Sequence, residues 1–312
     1  MRKIGRYTLR RILSIIPVLL VISFLSFAFM HLAGGDPAEI KLTAQGTVVT
    51  PELIAAERNE MGLNEPFIKQ YFSWLRDVLH GNLGISYSTG IEVTKELKQH
   101  LPYTLMLTFS SITLTLIVSI PLGIIAAVKR NEWQDVLIRT FSFAGNAIPG
   151  FFLALILLLV FSLKLKLLPI LNQSGIKSVI LPTLTLSIAM ISKYIRQIRA
   201  VVIAELEKDY VKGLQARGIN EKVILYRNVL KNIMMTLTTL TGLSIGSLMG
   251  GTAIVESIFM WPGIGKLVLS AISNRDYPVI QGYVLWMGCM FVMINLIVDL
   301  LYRVFDPRVR AQ

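Results

Sequence analysis

Apolar residues fill six long runs, at 12–30, 103–128, 136–163, 179–202, 233–255 and 279–304, and polar positions crowd into the stretches between them. About 20 apolar residues in a helix cover the ~30 Å hydrocarbon core of a bilayer, and a spanning helix satisfies its own backbone. The pattern therefore predicts an all-α polytopic membrane protein with six transmembrane helices and both termini on one side.

Two of the polar stretches carry helical periodicity of their own. In 33–101, Thr50, Pro51 and Glu52 read as an N-cap, a first-turn proline and an early acid, with Gly62 as the stop. A second short helix is expected from Pro66, with Phe67, Tyr71, Trp74, Leu75 and Val78 on one face, ending before Gly81. In 203–232, Ile203, Leu206, Tyr210 and Leu214 share a face, while Glu205, Lys208, Asp209, Lys212 and Gln215 spread over the others. Gly218 closes that helix in a left-handed conformation. Asn220 caps the next, which aligns Val223, Tyr226, Leu230 and Ile233. An amphipathic helix stopped by a glycine suits a groove on a soluble partner.

Composition agrees with the membrane reading: 54% of the 312 residues are hydrophobic, 16% are charged, and the mean hydropathy is +0.62. The net charge of +12 is spread by topology and is not gathered on one soluble domain, which argues against nucleic acid. Arg2, Lys3, Arg6, Arg10 and Arg11 precede the first run; Lys129 and Arg130 follow the second; Arg196 to Lys231 follow the fourth; Arg303, Arg308 and Arg310 close the chain. The positive-inside rule makes these regions cytoplasmic. The stretch 33–101 holds six basic residues against nine acids and is expected outside. This gives a first span with a cytoplasmic N-terminus at 1–32, an extracytoplasmic helical domain at 33–101, and a five-span core at 102–312 that includes the loop 203–232. The first apolar run is long and no Ala-x-Ala site follows it, so it reads as an uncleaved span. Cys289 is the single cysteine, which leaves the outer domain to hold together by packing.

No catalytic constellation is legible. Gly263-Ile264-Gly265-Lys266-Leu267 has the wrong glycine spacing for a phosphate-binding loop and no hydroxyl residue after the lysine. His31, His80 and His100 are scattered, so neither a zinc site nor any other metal site is expected. The chain is read as non-catalytic and without a cofactor of its own. Gly242, Gly246 and Gly250 recur every four residues, a small-residue stripe for helix packing or, alternatively, for widening a pore. Asn146 and Pro149 predict a kink in the third span. Lys193, Arg196 and Arg199 are expected to snorkel to the headgroups. Asp299 pairs in sequence with Arg303, and Glu256, at the outer end of span five, is the candidate for an outer gate.

The segment Asp209-Tyr210-Val211-Lys212-Gly213-Leu214-Gln215-Ala216-Arg217-Gly218 resembles the cytoplasmic loop of ABC importer permeases. In the peptide and nickel branch that loop begins Asp-Tyr-Val and reaches its glycine nine residues on. Other stretches resemble the same branch: Gly35-Asp36-Pro37, Met61 to Phe67, Leu181-Pro182, Trp261 to Gly265, Arg275 to Gln281, and Asp306-Pro307-Arg308. Lys212, Gly213 and Leu214 depart from the general Glu-Ala-Ala pattern, and Asn228 stands where a histidine is common. The resemblance implies a type I ABC importer permease subunit of the dipeptide/oligopeptide/nickel family, most like the B-type subunit of the nickel branch. It implies a bacterial cytoplasmic (inner) membrane location. It also implies a homologous permease, two ATP-binding cassette subunits carrying ATP and Mg, and an extracytoplasmic solute-binding protein as partners. On it, Leu206, Asp209, Tyr210, Leu214, Ala216, Arg217 and Gly218 are the ATPase-coupling residues. The expected cargo is nickel carried as a chelate, with di- or oligopeptides as the alternative; an ATP-independent channel or secondary transporter is the other class.

Overall fold

A computed structural model describes the backbone of residues 2–170 and 175–305, and their side chains except at 2–15, 235, 251 and 299–305. Asp299, Arg303 and the Asp306-Pro307-Arg308 stretch therefore lie outside the described side chains. The described residues are helical, with a single isolated β-bridge between Ile85 and Glu92.

The helices are α1 (Arg2–Leu32), α2 (Pro37–Ala44), α3 (Pro51–Glu60), α4 (Phe67–Leu79), α5 (Val93–Val128), α6 (Trp133–Ala147) and α7 (Gly150–Leu157), which continues as a π-helical segment Leu158–Lys164. They are followed by α8 (Lys177–Leu206), α9 (Asp209–Ala216) and the short α10 (Glu221–Val223). A second π-helical segment, Ile224–Val229, leads into α11 (Leu230–Gly251), α12 (Ala253–Ile258), α13 (Ile264–Ser273) and α14 (Tyr277–Phe305). Three helices (Val93–Val128, Lys177–Leu206 and Tyr277–Val298) are each long and apolar enough to cross a membrane; counting each of three bent pairs as one span gives six.

One compact unit comprises Met1–Thr104 with Pro262–Met293, so the stretch 33–101 belongs with α1 and with the segment leading into α14. The short helices begin as their caps dictate. Thr50 Oγ1 accepts the Leu53 amide and Pro51 opens α3, with Gly62 at φ +67° beyond its end. Helix α4 runs from Pro66 to the turn at Gly81, φ +83°. Its Tyr71 is buried and stacks edge-on against Phe24 and Phe27 of α1, and its hydroxyl meets Ser23 at 2.9 Å. Gly282 of α14 lets Val93 in: a Cβ there would stand 2.6 Å from Val93 Cγ1. Val93, Leu97, Ile264, Ala271 and Val279 form the core around that contact. The buried Asp276 carboxylate accepts from Ser86 Oγ (2.6 Å) and from the amides of Tyr87 and Ser88 (both 3.1 Å), fixing the loop 86–88 to the start of α14.

The second unit comprises Leu105–Trp261 with Ile294–Gln312. Here the expected third span is two helices, since α6 and the α7 segment meet at 99°. Ile148 precedes Pro149 and is extended (φ −83°, ψ 123°), as proline demands of its predecessor, so the predicted kink is a full break. Helix α6 lies antiparallel on α8: Asp135 meets Arg199, Ser142 meets Arg196, and Gly145 meets Ser192. Snorkelling does not describe Arg199. Its guanidinium donates through Nε and Nη2 to the two oxygens of the fully buried Asp135, both at 2.7 Å. The fork holds Arg199 in place because withdrawing it would strip the buried Asp135 of both of these bonds.

Candidate functional site

The loop predicted to meet a partner is built at the end of α8. Glu207 and Lys208 break the helix, so 203–214 is not one continuous face; Lys208 is extended (φ −70°, ψ 149°) and α9 restarts at Asp209, an acid placed at the positive helix end. Helix α9 ends in a Schellman motif. The Gly218 amide bonds the Gln215 carbonyl (2.9 Å) and the Ile219 amide bonds the Leu214 carbonyl (3.2 Å), with Gly218 at φ +74°. Leu214 and Ile219, the two apolar ends of that motif, pack on the same core. Asn220 Oδ1 then accepts the Lys222 amide at 2.9 Å and opens α10.

The face α9 buries is centred on Val211, which is fully enclosed among Ile198, Val202, Ile224, Val229 and Ile233. Leu206 and Leu214 are half-buried against that same core. The apolar stripe chosen from the sequence thus looks largely into the chain itself. After Asn220 the expected face holds in part: Ile233 is buried and Leu230 half-buried, but Ile224 and Val229 are buried in place of Val223 and Tyr226, which are 44% and 64% exposed. Within 224–229 the backbone is π-helical, so burial there does not follow a 3.6-residue period.

Glu205, assigned to the polar faces, is buried and organises the loop. Its Oε1 accepts from the Tyr210 hydroxyl (2.9 Å) and Asn232 Nδ2 (2.8 Å), and its Oε2 pairs with Lys208 Nζ (2.5 Å). Burial first, and then the bond to Glu205, push the Tyr210 phenol above its ordinary value, so it remains a protonated donor. One carboxylate thereby joins the end of α8, the start of α9 and the start of α11. The face α9 leaves open presents Asp209, Lys212, Gly213, Ala216 and Arg217, all exposed. The Lys212–Asp209 pair there, 3.3 Å, is solvated on both sides and adds little.

Elsewhere in this unit, a Cβ on the buried Gly242 would collide with Val298 Cγ2 of α14, so α11 and α14 touch backbone to side chain at the glycine stripe. Gly246 is buried as well, and Gly250 is exposed. Glu256 is fully buried on α12 and accepts the Thr252 hydroxyl at 2.9 Å. Among the described residues, no three His, Cys, Asp or Glu side chains gather as a metal would require. Asp135, Asp276 and Asn232 were missed as organising residues; the one readable signal was Asp135 as a lone acid at the start of an apolar run, with an arginine series in the next span.

Residues 119–311 match the family model for binding-protein-dependent transport system inner membrane components, and 4–108 match the model for the N-terminal part of such components. The chain belongs to this family of ABC importer permeases. The nickel import system permease protein NikB of Staphylococcus aureus strain USA300 is 39% identical over 304 residues, covering 97% of this chain and 92% of the relative. The metal-staphylopine import system permease protein CntB of S. aureus strain NCTC 8325 / PS 47 is 37% identical, covering 98% of both. A chain from a solved structure of the MetNI methionine ABC transporter in inward-facing conformations shares the fold at a TM-score of 0.57 and 15% identity, covering 67% of this chain and 96% of that one. The permease therefore has the type I ABC importer fold, is a membrane-embedded, non-catalytic subunit, and leaves ATP hydrolysis to a partner.

Proposed function

We propose that this permease forms half of the translocation path of a nickel importer that carries the metal as an organic chelate. The supporting observation is the near full-length identity to a nickel permease and to a metal-staphylopine permease. The second of those names joins a metal to an organic molecule, and a chelated ion needs no ligand from the protein, in keeping with the single cysteine and scattered histidines.

In this reading the other half of the path is a homologous permease, two ATP-binding subunits hold ATP and Mg, and an extracytoplasmic binding protein delivers the cargo. The termini and the loop 203–232 are cytoplasmic by the distribution of Lys and Arg, and 33–101 lies outside. Helix α9 seats its open face in a groove on the ATP-binding subunit. Closure of the paired ATPases on ATP draws the two loops together and opens the permeases outward; hydrolysis resets them. Glu205 makes α9 a stiff extension of α8 and α11, so motion at the loop is handed to the spans. Gly242 and Gly246 pack helices, and Glu256 with Thr252 is the outer gate.

Uptake of radioactive nickel, set against uptake of a labelled dipeptide in cells with and without this chain, tests the cargo. Chain-dependent nickel uptake is expected; chain-dependent dipeptide uptake alone would replace nickel by peptides. Ala216→Arg tests the coupling. Ala216 is exposed and its neighbour Gly213 faces open space, so the fold tolerates the change, while association with the ATPase and uptake should both fall.

A further inference from the structure

Three arginines converge on one shallow cleft of about 480 Å³ between α6 and α8, lined by Val136, Arg139, Thr140, Phe143, Arg196 and Arg199. The four α6 positions follow i, i+3, i+4 and i+7, a single stripe of that helix, beside the stripe that Asp135 and Ser142 bury against α8. Charge in the cleft does not balance. Asp135 is the one carboxylate that meets these arginines among the described residues. It is spent on Arg199 through two 2.7 Å bonds, with Arg139 Nε at 3.4 Å and the Asn131 amide at 3.0 Å completing its shell. Arg196 meets no carboxylate among the described residues; its Nη1 donates to the Ser142 carbonyl at 3.2 Å. Arg139 is about half exposed, so its fork opens into the cleft. The nearby acids Glu132 and Glu207 are paired with Lys129 and Arg130.

We propose that this cleft binds the phosphodiester headgroup of an anionic phospholipid. Three guanidiniums facing one satisfied carboxylate leave two uncompensated cations, and the free donors of Arg139 and Arg196 match the two unesterified oxygens of a phosphodiester. The cleft is also amphipathic. Val136 and Phe143, 48% and 73% exposed, continue from the arginines along α6, and Trp133, Leu137 and Phe141 on the same helix are exposed too. An acyl chain has an apolar track directly beside the headgroup site, which a small inorganic anion would not use. The orientation given under Proposed function puts the start of α6, just after Lys129 and Arg130, at the cytoplasmic leaflet, where basic pockets between spanning helices select anionic lipid. The bound headgroup neutralises the arginines and pins the joint between α6 and α8, the helix whose last turn carries Glu205.

The assembled transporter, reconstituted in equal phosphatidylglycerol and phosphatidylcholine, is extracted and its bound lipid counted by native mass spectrometry. Retention biased to phosphatidylglycerol is expected, reduced roughly thirtyfold in Arg139→Gln/Arg196→Gln, the factor for two lost surface guanidiniums, and largely kept in Arg139→Lys/Arg196→Lys. Thr140→Asp, an exposed change that places a negative charge in the cleft, is expected to abolish the bias, and it carries the test if the glutamine pair fails to assemble. Equal retention by wild type and Thr140→Asp overturns the proposal. So does displacement of the lipid by millimolar inorganic phosphate, which would mark a free-anion site, or a photo-reactive residue at Phe143 that crosslinks to another protein subunit and not to lipid. None of these readouts depends on cargo or on ATPase coupling.

Discussion

Tyr210, the second residue of α9, donates its hydroxyl to Glu205 in the last turn of α8 at 2.9 Å, across the break at Glu207 and Lys208. The bond clamps two helices that the chain itself has separated. Tyr210→Phe removes the donor but leaves Glu205 with Asn232 and Lys208, so the cost is about 1 kcal/mol. Amide exchange across 207–218 should then quicken by roughly fivefold while α8 upstream stays protected. Glu205→Ala removes the acceptor that Tyr210, Asn232 and Lys208 share and should quicken it further. Exchange unchanged in both variants would mean the loop is held by Val211 packing alone.

Asp276 is predicted to hold the loop 86–88 through its charge and not merely its shape. One oxygen takes the Tyr87 amide and the other takes both Ser86 Oγ and the Ser88 amide. In Asp276→Asn an amide group must face at least one of those donors, which costs about 1.5–3 kcal/mol for a lost bond to a charged acceptor. Thermal unfolding in detergent should show the loss, with Ser86→Ala giving a smaller one. Equal stability of Asp276→Asn and wild type would reduce the carboxylate to a space-filler.

Tyr87 gives the outer region an alkaline limit. Burial first, then the negative Asp276 beside it, raise its phenol well above the ordinary value of 10.0. The folded state therefore holds the proton more tightly than the unfolded chain. Its contribution to stability is complete below about pH 10 and is lost as pH climbs from there toward the folded value. Ultraviolet titration should find one fewer late-appearing tyrosinate in Tyr87→Phe than in wild type.

What could be read from the chain alone was whatever depends on near neighbours. Thr50, Gly62, Gly218 and Asn220 all cap or stop helices where their residue types require, because a cap needs only the backbone two to five residues away. The six apolar runs survive as three unbroken helices and three bent pairs. What Glu205, Asp135 and Asp276 organise was not readable, because each has a partner far along the chain: Asn232, Arg199 and Ser86, 27, 64 and 190 residues away. No periodicity points to such pairs. The face expected after Asn220 is half right: Leu230 and Ile233 turn inward as a 3.6-residue wheel predicts, but within the π-helical segment 224–229 Ile224 and Val229 are the buried positions and Tyr226 is exposed, since a widened turn does not follow that wheel. The Pro149 break was readable as a kink but not as a 99° turn, since proline frees a carbonyl and constrains its predecessor without dictating where the next helix goes.

Gly242 separates the two uses of the glycine stripe, packing or pore. A Cβ at that position would collide with Val298 Cγ2 and stand 3.3 Å from Val298 Cβ, so Gly242→Ala forces α11 and α14 apart or drives Val298 from its rotamer. Overpacking of this kind costs about 1–3 kcal/mol. Val298→Ala removes the offending methyl, leaving a contact that a small shift relieves, and on its own it should cost about 1 kcal/mol as a modest cavity. Combined, the two changes should be more stable than their summed effects imply, by about 1 kcal/mol or more of favourable coupling, as expected for residues that touch. The measurement is the thermal midpoint of the two single variants and the double variant in the same detergent, with cargo uptake recorded alongside. A packing role demands that uptake recover together with stability in the double variant. If Gly242→Ala leaves stability intact and lowers uptake, and Val298→Ala restores nothing, the stripe lines the passage and the helix contact is incidental.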